Sequence, residues 1–148
     1  MAAFNLDLNR IEQHLKTELQ RKCTVGFASD FNQVRKTPVQ TATLFVLPLD
    51  EDFQPLSEVP GERQLNMSEL FAVMIVLPVK SSNRTSDELI KTLRGEVWEA
   101  LVGATLPGWE PIMPHRGRLV ELNRETNNLI YQCQFMAERL LDVVPRPL

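Results

Sequence analysis

The sequence predicts an α+β single domain: a mainly antiparallel or mixed sheet of about five strands, with two helices packed on one face. Three observations carry this prediction. Apolar residues recur at helical spacing near the start and again after Thr85. Between and after those stretches the period falls to two, or the run becomes continuously apolar. Proline, glycine and asparagine clusters punctuate the joins. A chain of 148 residues is most simply one domain.

From Asn5 to about Lys22, Leu8, Ile11, Leu15 and Leu19 form one narrow helical stripe. Asp7 and Glu12 lie early and Arg21 and Lys22 late, an order that suits the helix dipole. His14 sits at the edge of the stripe with no second ligand in view, so it reads as a half-exposed helical side chain. From Thr24 to about Val34 the period becomes two, with Val25, Phe27 and Phe31 marking a strand and Gly26 a bulge or close-approach site. Arg35 to Pro38 reads as a turn. A second strand runs from Val39 to about Leu47, alternating at first and apolar on both sides at its end.

The segment from Asp50 to about Ser68 is acidic and broken by prolines, and reads as a long loop. Its scattered Phe53, Leu56 and Val59 suggest an arm that orders on a neighbouring subunit or partner. Candidate interface residues are therefore Asp50, Glu51, Asp52, Phe53, Leu56, Val59, Glu62 and Arg63. The apolar run Leu70 to Val79 predicts a strand buried on both faces.

Thr85 to Glu88 has the form of a capping box. Leu89, Leu93, Val97, Ala100, Leu101 and Ala104 then define one face of a second helix, with Ile90 at its margin and Pro107-Gly108 as its end. Trp109, held between Gly108 and Pro111, reads as a lid on the core. His115 to Arg118 is the most basic spot, too small for a strong phosphate site, and reads as surface loop. Strands follow from about Arg118 to Asn123 and from Leu129 to about Met136, with a short tail from about residue 142. In the last strand Leu129, Tyr131, Cys133 and Phe135 face the helices, and Gln132, Gln134 and Met136 face away. Gln132 and Gln134 complete the candidate interface.

A formal net charge of −3 gives no footprint for nucleic-acid binding. Cys23 and Cys133 match no metal or redox spacing; a disulfide between them is possible but not implied. The N-terminus lacks the pattern of a signal peptide, and the longest apolar run is half a membrane span, so no membrane role is expected. No phosphate loop, zinc pattern or nucleophile elbow occurs. The expectation is a non-enzyme without catalytic residues, metal or cofactor, acting through its surfaces.

The order of elements resembles the tail-terminator proteins of long-tailed bacteriophages. The residues that carry the resemblance are Leu44 to Pro48 (LFVLP), the run Leu70 to Val79, the helix with Leu89, Leu93 and Trp98, and the pair Gly117 to Leu122 (GRLVEL) and Leu129 to Phe135 (LIYQCQF). The resemblance spans most of the chain as a pattern, not as a sharp motif. It implies a homohexameric ring that docks on the finished tail tube, stops its polymerisation and offers a surface to the neck proteins of the head. The tail tube protein and a neck or head-completion protein would be its partners, and DNA would pass the channel without specific binding. Its place would be the head-proximal end of the virion tail, after assembly in the host cytoplasm. A head–tail joining or tail-completion protein, and a small cytoplasmic α+β binding module, fit the same pattern.

Overall fold

The structure is a computed structural model that describes residues 4–56, 63–79 and 83–148, with side chains from residue 87 onward in the last segment. Five strands form one mixed sheet in the order β1-β2-β3-β5-β4. They are β1 (Thr24–Val25), β2 (Thr43–Pro55), β3 (Gln64–Pro78), β4 (Met113–Asn123) and β5 (Asn128–Asp142). Only the β1–β2 pair is parallel; the other pairs are antiparallel. Helices α1 (Leu8–Leu19) and α2 (Asn83–Leu101) cover one face. The predicted fold class holds.

β3 is the centre. Phe71, Val73, Ile75 and Leu77 point into the main core with Leu44, Val46 and Phe135, under both helices. Ala72, Met74 and Val76 point the other way, into a second cluster with Phe45, Ile130 and Val34. All seven residues from Phe71 to Leu77 are buried, as a strand covered on both faces requires.

α1 is capped by Asp7, whose carboxylate accepts from the Arg10 amide at 3.2 Å, and it buries Ile11, Leu15 and Leu19 as the stripe predicts. The end of α1 is tied to α2 by Lys22 Nζ and Glu96 Oε1 at 2.6 Å. His14 Nε2 lies 2.8 Å from the Ala100 carbonyl, a second link between the two helices.

Several elements depart from the sequence reading. The strand expected at Thr24 to Val34 is only two residues long; a 3-10 segment (Ala28–Arg35) follows. It places Val34 and Phe31 over the second cluster, where Phe31 meets Phe45 edge-on with centroids 5.5 Å apart. Buried Asn128 pins this segment: its Nδ2 donates to the Val34 and Thr37 carbonyls, and its Oδ1 accepts from the Val39 amide at 3.0 Å.

The expected loop at 50–68 is largely strand. β2 and β3 stay paired from Asp50↔Leu70 to Pro55↔Leu65. Pro48 does not end β2, because it sits at a register shift on a side where β1 no longer pairs. The acidic side chains mark an exposed edge strand, not a loop. β5 likewise runs on to Asp142, paired with Gln64 on β3, past the strand end expected at about Met136. β4 begins at Met113, so the basic residues at 115–118 lie on an edge strand and not in a loop.

α2 begins at Asn83, ahead of the predicted cap at Thr85, whose side chain lies outside the described residues. Its buried line is Ile90, Leu93, Val97 and Leu101, while Leu89 is exposed. Those four lie within a narrower sector than one centred on Leu89, which is roughly a quarter turn away. The helix ends at Leu101, before Gly103 at φ +86°, and not at Pro107-Gly108.

Gly26 is a close-approach site. A Cβ there would lie 2.6 Å from Cε1 of Phe45, a ring buried in the second cluster. Gly26→Ala is expected to cost about 1–3 kcal/mol through overpacking, seen as a lower urea midpoint with unchanged slope.

Cys23 and Cys133 are both free. Burial pushes each thiol up from 9.0 to about 11, helped at Cys23 by Glu96 and opposed at Cys133 by Arg94. Between these values the unfolded chain loses thiol protons that the folded chain keeps. Stability is therefore lost as pH rises from about 9 to about 11. Urea midpoints across that range should fall less steeply for the double variant Cys23→Ala, Cys133→Ala than for the natural chain.

Candidate interaction surface

Past Met113 the sheet outruns its fourth strand. β2 from Asp50, β3 up to Leu70 and β5 from Met136 continue as a three-stranded arm. At its root a polar cluster fixes the chain ahead of α1. The buried Glu69 carboxylate accepts from the Leu6 amide at 2.8 Å, and Asn5 Nδ2 donates to Glu51 at 3.0 Å. Phe4 stacks on Phe53 with centroids 6.3 Å apart. The Arg139 guanidinium lies over the rings of both Phe4 and Trp109, at 5.3 and 4.9 Å. Trp109 also packs against the main core, so it is a lid on the core, as its loop context predicts.

The structure brings most of the sequence-predicted interface residues onto this arm. Asp50, Glu51, Asp52, Phe53 and Leu56 follow one another along β2 and just beyond it, and all are exposed. Arg63 is joined to the same arm through its carbonyl, which accepts from the Val143 amide at 2.8 Å. Val59 and Glu62 lie outside the described residues. Gln132 and Gln134 are placed apart from this group, on β5 against β4, where Gln134 Nε2 donates to Gln132 Oε1 at 2.8 Å. Gln132 is buried, so of the two only Gln134 presents surface.

Two clefts lie at opposite edges of the sheet. The first, of about 510 Å³, opens beside β2 and is acidic: Asp7, Asp50, Glu51 and Glu69 line it. The second, of about 430 Å³, opens between α2 and β4 and is basic and aromatic: Lys91, Arg94, Trp98, His115 and Arg116 line it. Arg94 lies 4.5 Å over the Tyr131 ring, and Gly117 keeps the floor open, since a Cβ there would come within 3.0 Å of the Tyr131 hydroxyl. Sequence reasoning named His115 to Arg118 as basic but missed this cleft. Lys91 and Arg94 come from a distant helix, and only the fold brings them alongside.

Among the described residues no group of three or more His, Cys, Asp or Glu side chains is placed to hold a metal ion. No helix among them is long and apolar enough to cross a membrane. His14 is engaged with the Ala100 carbonyl, and His115 is exposed at a register shift in β4. The described residues offer binding surfaces, charged and apolar.

No curated protein matches the chain. Among solved structures, a chain from the virion of a native gene transfer agent particle is 16% identical, with a TM-score of 0.46, covering 84% of this chain and 82% of that one. A second solved chain is 11% identical, with a TM-score of 0.38, covering 97% of this chain and 100% of that one. A family model described as phage tail terminator protein matches residues 1–142. With nearly its whole length matched, the chain belongs to the phage tail terminator protein family, and its role is a structural one in the phage tail.

Proposed function

We propose that this chain is the subunit of a homohexameric ring that caps the tail tube at its head-proximal end. The ring stops tube polymerisation and offers the docking surface for the neck. Family membership over residues 1–142 supports the terminator role. The observation that carries the ring is the sheet itself. β2 beyond Leu47 and the whole outer side of β4 have no strand partner among the described residues. Long free edges of this kind invite pairing with another chain unless something covers them. Two such edges on opposite sides of one subunit suit a head-to-tail ring, in which each copy covers its neighbour.

The arm is the part that reaches a neighbour or the tube. Exposed Phe53, Leu56 and Leu140 lie on or beside it and give it apolar contact area. With 19 acidic and 16 basic residues, the chain does not supply the excess of cations that would hold DNA in a channel. Assembly takes place in the host cytoplasm, before the neck is joined. The role is one of shape and contact, without catalysis.

Native mass spectrometry of the purified protein is expected to give a hexamer. A dodecamer would favour a head–tail connector, and a monomer at high concentration would overturn the ring. Deleting residues 53–63 is expected to abolish ring assembly or binding to purified tail tubes; survival of both would remove the arm from the mechanism.

A further inference from the structure

The two free edges of the sheet are not alike. On the β2 side, Asp50, Glu51 and Asp52 are exposed in a row, beside the acidic cleft. On the β4 side, Arg116 and Arg118 are exposed on the strand. Among the described residues, neither the acidic three nor Arg116 and Arg118 take part in an ion pair.

The positions agree as well as the signs. Arg116 and Arg118 stand in register with Gln134 and Gln132, which face away from the helices. Asp50 and Asp52 stand in register with Leu70 and Ser68, and so share that face with Ala72 and Met74. An acidic pair and a basic pair thus occupy opposite edges of one sheet face. The edges belong to different sides of the molecule, so a copy does not neutralise itself, whereas a second copy placed alongside brings the two together.

We infer that neighbouring copies join edge to edge, the acidic β2 edge of one (Asp50 and Asp52) seating against the basic β4 edge of the next (Arg116 and Arg118). The inference rests on the ring reading above and names the contact that closes it. A contact between two different patches, repeated head to tail, closes into a ring when the rotation allows. Complementary charge at such a contact steers association, fixes register and discourages wrong pairings, and it weakens with salt.

The test uses the full-length chain in two charge-reversed forms, Asp50→Lys with Asp52→Lys, and Arg116→Glu with Arg118→Glu. All four positions are exposed, so circular dichroism and melting should match the natural chain. Sedimentation velocity is expected to show each form self-associating at least about tenfold more weakly than the natural protein. Mixing the two forms is the decisive step. At the reversed positions one form is then basic on both edges and the other acidic on both, so the mixture should assemble into rings alternating between them. Native mass spectrometry resolves these by mass. Rings in both separate forms as stable as those of the natural chain, or no mixed ring from dissociated forms, would overturn this contact and leave the ring standing. A natural protein that stays monomeric would overturn the ring and this contact together. A basic edge that binds duplex DNA while the natural ring resists salt would assign that edge to nucleic acid and overturn the inference.

Discussion

The strand β3 is the constraint to which everything else answers. It is apolar on both faces and paired on both sides, from Thr43↔Val76 to Pro55↔Leu65 with β2 and from Gln64↔Asp142 to Pro78↔Asn128 with β5. A strand of that composition is stable only with both faces covered. The two helices cover one face, and the 3-10 segment with Phe31 and Val34 covers the other. Asn128 holds that second cover in place through three hydrogen bonds, each between groups that would be costly to leave unpaired when buried.

The covers are shorter than the strands they protect. Past Phe71 toward Gln64, β3 becomes more polar, with Glu69, Ser68 and Asn66, and it emerges from burial only beyond Met67. β2 makes the same change after Pro48 and becomes wholly exposed. One sheet therefore serves two purposes. Its middle is a core and its end is an arm, and the hydrogen-bond ladder running unbroken along β3 and β5 makes the arm a rigid extension of the core. The N-terminal residues brace its root through Glu69 and Phe53, which keeps the buried Glu69 carboxylate satisfied.

A sheet with open edges exposes backbone groups to any other chain. Charge on edge strands is the usual device, since a bare charge opposes casual pairing and favours only a matching partner. Here the acidic and basic groups fall on different edges. That division accounts for a nearly balanced chain with locally strong charge, and it is compatible with a structural role in the tail.

The sequence by itself determined the pattern elements: the α1 stripe of Ile11, Leu15 and Leu19, the doubly buried run at Leu70 to Val79, the close approach at Gly26, and the α+β class. Each rests on local periodicity or on one residue's sterics, which a short window contains. The tertiary structure decided what depends on distant partners. Residues 50–55 carry the charges and the proline of a loop, and become strand because β3 and β5 supply a ladder on which an exposed edge tolerates them. Val34 and Phe31 have no periodicity that would mark a second cover, and find their role only where Phe45 and Ile130 meet them. Arg139 reaches Phe4 and Trp109, and Lys91 and Arg94 reach the β4 edge, only through the fold. Local propensity sets which segments are regular; the pairing of β3 sets how far they extend and which surfaces they leave open.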